Sequence, residues 1–358
     1  MAKTMMANVF YGNKKMKVEE VEIPKINETE VLIKIRASGI CGSDITYYNS
    51  SSPVETLEGS ASIILGHEFS GDIVQVGSYV EEQGYFKEGD RVAVNPPQPC
   101  EACVYCRMAK PNLCEHTHTV GVNVNGGFAQ YVKVAYSNVI LLPDNVDYIE
   151  GAMAEPLACA CYAMKQLDVQ PGDFVVVIGS GTIGIMMAQL AKQRGAGAVL
   201  VSGIIDYPLE MAKKLGVDYI CNTLNQSSPY YTANLSVKVK ELNSGFGANR
   251  VIVPVAAPSA YKDAFAVSGK ASTIVFFGLP GEKDIIEIPA HDALTGDKNI
   301  LFSWLAPYTW NTAMFALASG EVKVKELVTH TYPLEKTAQG IEFMSSNVPE
   351  KIKGMIVL

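Results

Sequence analysis

Phe174-Val175-Val176-Val177-Ile178 runs without a break into Gly179-Ser180-Gly181-Thr182-Ile183-Gly184. A nearly continuous apolar run reads as a strand buried on both faces. A G-x-G-x-x-G directly after it, and directly before a helical stretch from Ile183 to Arg194, reads as the strand-to-helix turn of a dinucleotide site. Alone the motif is weak. In this context the glycines make a tight turn, let the backbone approach a pyrophosphate closely, and allow helix to pack close on strand. The N–H groups that open the helix then face the anion, so Gly179, Gly181, Thr182, Ile183 and Gly184 are candidate cofactor contacts.

The alternation continues beyond the motif. Ala198 to Val201 reads as a second strand, Leu209 to Leu215 as a helix, and Tyr219-Ile220 as a short strand. Further strands fall at Val251 to Val255 and Thr273 to Gly278. Such βαβα order implies a doubly wound parallel sheet, because parallel strands need helical crossovers. The first 155 or so residues read differently. Val31 to Ile35, Ile73 to Val76 and Arg91 to Val94 are short β-rich runs divided by turns such as Glu88-Gly89-Asp90. The fold class is therefore α/β with two domains, as a chain of 358 residues suggests. A mostly-β domain spans 1–156, a Rossmann-type domain 157–298, and 299–358 ends in a strand, Ile352 to Leu358, expected to rejoin the first domain.

An NAD site usually carries an acid at the end of its second strand, on the ribose 2′-OH. Counting on from the glycines lands on Gly203, and Asp206 sits three residues late. Asp206 serves there only if its loop folds back. No Arg lies nearby for a 2′-phosphate, so the choice between NAD and NADP stays open.

Cys100, Cys103, Cys106 and Cys114 form a C-x2-C-x2-C-x7-C run, half of the eight cysteines in the chain. Four thiolates so close together suit a closed tetrahedral Zn²⁺ site that folds its own loop, here a lobe over 96–116. An iron–sulfur run would have three residues before its last Cys and a Pro after it. Here seven intervene, and Glu115 follows. Disulfides fit poorly with a cytoplasmic chain.

A second cluster has separate parts. Cys41-Gly42-Ser43-Asp44 follows an apolar strand, Gly66-His67-Glu68 follows Ile63-Ile64-Leu65, and Glu155 precedes Pro156 at the domain junction. A thiolate, an imidazole and a carboxylate make an open metal site when one position is left for water or substrate. Singly, a buried Cys is usually a small hydrophobe and a lone His a structural residue. The combination is what counts.

With these motifs in this order along essentially the whole chain, the sequence resembles the zinc-dependent medium-chain dehydrogenases, most closely the polyol (sorbitol-type) branch. The resemblance implies a GroES-like catalytic domain built from the N-terminal part and the C-terminal tail, around an inserted Rossmann domain. It implies two Zn²⁺ per chain and hydride transfer between a secondary alcohol and NAD or NADP. Cys41 and His67 would be ligands of the catalytic zinc, with Glu68 and Glu155 direct or water-mediated ones. Ser43 would begin a proton relay. Thr46 stands where sorbitol-type members often have His, so a weak neutral-pH inflection is expected. Tyr47, Tyr48, Trp304 and Tyr308 are candidate pocket walls. A hydroxyamino acid or alicyclic diol substrate is the alternative within enzymes, and a non-catalytic zinc-stabilised nucleotide-binding protein the alternative outside them. The resemblance also implies a dimer or tetramer, with its contact near Asn299 to Trp304.

Charge and hydropathy set the remaining expectations. With 29 basic and 37 acidic side chains the net charge is −8, which excludes a basic footprint for nucleic acid. No apolar stretch approaches the roughly 20 residues that span a bilayer, and the N-terminus lacks the apolar core of a signal peptide. The expected place is the cytoplasm, with a polyol or sugar-like small molecule as partner.

Overall fold

The computed structural model describes residues 3–50, 56–57 and 59–358. Two compact units emerge. The first comprises Met1–Pro156, Trp310–Ala318 and Val324–Leu358, and the second Leu157–Thr309 and Ser319–Lys323.

The second unit is built on six parallel strands, in the spatial order Tyr219–Asn222, Ala198–Gly203, Phe174–Ile178, Ala248–Val253, Ser268–Phe276, Asn299–Phe302. Val175, Val176 and Val177 have no exposed surface, as a central strand covered by helices on both faces requires. Burying each stabilises the unit by about 1.5–3 kcal/mol. Strand order reverses direction between Phe174–Ile178 and Ala248–Val253, and the crevice at such a reversal, beyond the carboxyl ends of the strands, is where open parallel sheets bind ligands.

The expected boundary at 298 falls inside this sheet. Asn299–Phe302 pairs in register with Thr273 to Phe276, so the Rossmann unit runs on to Thr309. Residues 299–309 therefore do not return to the first unit. A four-residue apolar strand carries no signal of which sheet it joins; its cross-strand partners decide that. Ser319–Lys323 also belongs to the second unit, where Lys323 N donates to Gln189 Oε1 at 2.9 Å.

The first unit holds a seven-stranded sheet whose path runs Val139–Leu141, Arg91–Val94, Glu68–Val76, Glu30–Ile40, Lys353–Val357, Val328–Pro333, with Tyr131–Ala135 paired beside Glu30–Ile40. A three-stranded sheet of Met16–Glu22, Thr4–Phe10 and Ile63–Ile64 completes its β structure, apart from the two-stranded ladder of Pro97–Gln98 and His118–Thr119. The C-terminal strand pairs antiparallel with Glu30–Ile40, Gly354 opposite Ile40. Three segments far apart in sequence thus end at one corner: the end of Glu30–Ile40, the start of Glu68–Val76 and the start of Lys353–Val357.

Candidate metal centres and dinucleotide crevice

Cys41 is the residue that opens the helix Gly42–Asn49, and its backbone N–H donates to Asp44 Oδ2 at 2.8 Å. This reciprocal cap pins the thiol at the end of the strand. Gly66 turns the chain with φ 92°, and a Cβ there would lie 2.7 Å from the Phe128 ring, so glycine alone brings His67 and Glu68 to the corner. The ligand atoms of Cys41, His67 and Glu68 lie within 4.8 Å of one another.

Asp44 and Lys353 support this trio. His67 Nδ1 stands 3.6 Å from Asp44 Oδ1, and neither atom has a hydrogen-bond partner among the described residues. A ligand histidine commonly turns its second ring nitrogen to a carboxylate in this way, which fixes its tautomer and orientation. The opposite nitrogen, Nε2, lies 3.4 Å from Ser43 Oγ. Burial favours the neutral ring, yet Asp44 and Cys41 together hold the His67 pKa well above its ordinary value.

Glu68 is buried at 1% exposure, and Lys353 Nζ donates to its Oε2. Gly39, opposite Glu68 in the sheet, makes room for the pair: a Cβ there would lie 2.1 Å from Glu68 Oε2. Burial alone would lower the Lys353 pKa, but Glu68, then Cys41 and Asp44, hold it above the ordinary lysine value. The corner thus gathers a thiol, an imidazole and a carboxylate, and this S, N, O donor set suits zinc.

The four cysteines of the lobe also converge within 4.8 Å. All four are free thiols, with the Cys103 and Cys106 sulfurs 3.6 Å apart, far from the roughly 2.05 Å of a disulfide. Backbone N–H groups point at the sulfurs, from Cys103 to Cys100 Sγ at 3.3 Å and from His116 to Cys114 Sγ at 3.4 Å. The N–H of Cys106 pulls the Cys103 thiol down, while desolvation and the neighbouring Cys103 push Cys106 up. Glu101 and Ala109 sit in left-handed backbone, φ 59° and 57°, a strain that persists only where something holds the loop. These donors fit a closed Zn²⁺ site with no position left open.

Not every expected residue joins the first cluster. Glu155, in the first turn of Ala154–Leu167, lies outside the convergent set among the described residues. Thr46 is exposed, and its hydroxyl donates to Gly42 O at 3.0 Å, so its proton is spent on the helix backbone. Tyr48 is core, not pocket wall: it is 3% exposed and its hydroxyl donates to Glu342 at 2.7 Å, with burial and that bond pushing its pKa up to about 12. Tyr47, one position earlier on the helix, is 41% exposed. In the second unit Trp304 and Tyr308 are both exposed. Sequence reasoning misses Lys353, whose one signal is a lone lysine heading an apolar terminal strand.

At the dinucleotide crevice the helix Thr182–Gln193 starts immediately after Gly181. A Cβ on Gly184 would stand 1.9 Å from Gly179 O, whereas one on Gly181 would meet nothing within 4 Å. The first contact lets helix and strand close up, and the second leaves open space above the helix N-terminus, where Thr182 and Ile183 present backbone N–H groups. The residues fit a pyrophosphate. Gly203 ends the next strand beside Ser180. Asp206 does not reach back towards the glycines: its Oδ1 accepts from Asn222 Nδ2 and Ser228 Oγ, both at 2.7 Å.

A parallel doubly wound sheet in one unit, a β-rich partner unit, a closed four-thiol lobe and an open mixed-donor cluster define a zinc-binding dehydrogenase. Residues 27–144 match the alcohol dehydrogenase GroES-like domain and residues 182–319 the zinc-binding dehydrogenase domain, and the chain belongs to this family of oxidoreductases. It is 34% identical to the sorbitol dehydrogenase of Bacillus subtilis, covering 98% of this chain and 97% of the relative. It is 32% identical to the D-arabitol-phosphate dehydrogenase of Enterococcus avium, over 96% of this chain and 95% of that one. An Escherichia coli alcohol dehydrogenase solved with NADH superposes with a TM-score of 0.88 at 27% identity, covering 100% of both chains. The family fixes the cofactors as zinc and a nicotinamide dinucleotide. No helix among the described residues is long and apolar enough to cross a membrane.

Proposed function

We propose that this enzyme interconverts a secondary alcohol of a neutral polyol or sugar-like substrate and its ketone, passing hydride to or from NAD(P). Cys41 and His67 hold the catalytic Zn²⁺, with Glu68 and Glu155 as direct or water-mediated groups, and Cys100, Cys103, Cys106 and Cys114 hold the structural one. The convergence of Cys41, His67 and Glu68, oriented by Asp44 and Lys353, is the observation that carries this reading. Zn²⁺ bound there supplies Lewis acidity, which lowers the pKa of a substrate hydroxyl. The chain's own residues do the rest. Asp44 fixes the His67 ring, and Lys353 restrains Glu68. Ser43 Oγ, 3.4 Å from His67 Nε2, takes the hydroxyl proton, and because the Thr46 hydroxyl is engaged with Gly42 O, the onward route runs through water or a ribose hydroxyl. Gly179 to Gly184 position the dinucleotide.

Both curated relatives act on polyol-type substrates by name, one neutral and one phosphorylated. The neutral class is favoured because Lys353, the lysine at the cluster, is committed to Glu68 and leaves no free cation there for a phosphate among the described residues. The zinc-loaded protein, assayed with both dinucleotides against polyols, inositols, sugar phosphates and short-chain primary alcohols, should turn over a neutral polyol fastest. Faster oxidation of a primary alcohol, or of sugar phosphates alone, sinks the substrate assignment. Metal analysis should return about two Zn²⁺ per chain.

The enzyme is further proposed to work in the cytoplasm as a homodimer or homotetramer. Asn299–Phe302 ends the six-stranded sheet, with Phe302 63% and Leu294 83% exposed, and such an edge invites the same strand of a second copy. Light scattering that returns a monomer at micromolar concentration removes this part.

A further inference from the structure

We infer that the nucleotide site accepts NAD(H) and NADP(H) with similar affinity, because no charged group among the described residues is directed to where the adenosine ribose is read. The inference rests on the reading of Gly179 to Gly184 as a dinucleotide crevice and goes on to the choice between the two forms.

The ribose is read at the carboxyl end of the second strand, beside the glycine turn. That position is Gly203. A Cβ built on it would lie 2.3 Å from Ser180 Oγ and 2.9 Å from Ser180 Cβ. A side chain at 203 would therefore aim at the middle of the glycine motif, where a carboxylate would grip the 2′-OH, and Ser180 fills that space instead. The one acid nearby cannot substitute. Sheet order places Tyr219–Asn222 on the far side of Ala198–Gly203 from Phe174–Ile178. Asp206 turns to that far side, accepting from Asn222 and from Ser228 at 2.7 Å each. Asn222 has no exposed surface, and its own Oδ1 accepts from the N–H groups of Leu224 and Asn225 at 3.0 and 2.8 Å. The Asp206 carboxylate thus satisfies a buried amide that would otherwise lose its acceptor, and drawing it back to the ribose would break that network.

Positive charge is missing too. From Gly203 to Ala212, and from Thr223 to Asn234, the sequence contains neither Lys nor Arg. Ile204 and Ile205, which follow Gly203, are 56% and 37% exposed, so a 2′-phosphate at this edge stays in water. It meets no carboxylate to repel it and no guanidinium to reward it. Sites that discriminate use one or the other, since a like charge set against a phosphate costs several kcal/mol.

The test is a fluorescence titration of the zinc-loaded protein with NADH and with NADPH. Dissociation constants within tenfold of each other support the inference; a ratio beyond tenfold in either direction overturns it. Asp206→Asn keeps an acceptor for Asn222 and should leave the ratio within threefold of wild type. A selective loss of NADH affinity beyond tenfold would show that Asp206 reads the ribose after all. The double variant Ser180→Gly/Gly203→Asp makes room for an acid and supplies it, and should turn the ratio about a hundredfold towards NADH. No change in ratio would mean that position 203 does not face the ribose, which also overturns the inference. If neither nucleotide binds, the dinucleotide reading falls with it. If both bind equally and no polyol is oxidised, the substrate assignment fails while this inference stands.

Discussion

The two candidate metal clusters of the first unit are assembled by opposite means. The lobe takes all four donors from fifteen consecutive positions, Cys100 to Cys114, and leans on left-handed turns at Glu101 and Ala109 to wrap them. The corner cluster draws on strand ends brought together by sheet register: Cys41, His67 with Glu68, and Lys353, which reaches Glu68 across 285 residues. The lobe has four like donors and no open position. The corner has three unlike donors, each held by something else. The difference teaches that a metal can build its own site from a short loop, whereas a site that must keep a position free has to be built by the fold first.

Three substitutions strain that contrast. Cys41→Ala should lower kcat by at least ~10³-fold, since the Lewis acid is worth several kcal/mol, while the fold and one zinc per chain survive. Loss of both zincs in metal analysis would show that the clusters are not independent. Lys353→Met should come next, destabilising the zinc-free protein by about 3–5 kcal/mol because Glu68 is then left as a buried charge without a partner. A smaller loss in denaturant unfolding, near 1 kcal/mol, would place Glu68 in water. Cys103→Ser should mainly lower the thermal midpoint, by roughly 5 °C, with kcat per folded molecule within about twofold of wild type. A large fall in kcat at an unchanged midpoint would give the lobe a catalytic role.

The smallest effect belongs to a capping aspartate that serves neither cluster. Asp147 opens the helix Tyr148–Ala152, accepts from Glu150 N at 2.9 Å and pairs with Lys325. Burial alone would raise its pKa, but Lys325 and the helix N–H groups hold it below the ordinary 3.8. A depressed carboxyl stabilises the fold above its unfolded pKa and stops doing so as pH falls through its folded one. Asn caps a helix about as well as Asp, so Asp147→Asn removes mainly the exposed pairing with Lys325 and should cost at most about 1 kcal/mol at pH 7, with the gap from wild type closing below about pH 4. A gap that stays constant down to pH 2 would assign the loss to packing.

Legibility follows the same division. The glycine turn and the cysteine run are local, so spacing alone announces them, and βαβ alternation makes the parallel sheet readable. Register across hundreds of residues is not local. Nothing near Lys353 says that it will meet Glu68, and nothing in Asn-Ile-Leu-Phe at 299–302 says which sheet it extends. Tyr47 and Tyr48 are neighbours in sequence, yet one helix turns the first outward and buries the second. Residue type suggests a proton relay for Thr46 and a ribose contact for Asp206, but their hydrogen bonds to Gly42, Asn222 and Ser228 assign both to structure.

The strand Lys353–Val357 lies inside the first unit's large sheet, between Glu30–Ile40 and Val328–Pro333. A ribosome making this chain will have synthesised the whole Rossmann unit before that strand exists. Until then the nascent sheet has an open seam along residues 37–40, and the Glu68 carboxylate lacks its counter-ion. The inserted unit has the opportunity to fold during synthesis, whereas the unit that begins first is sealed last.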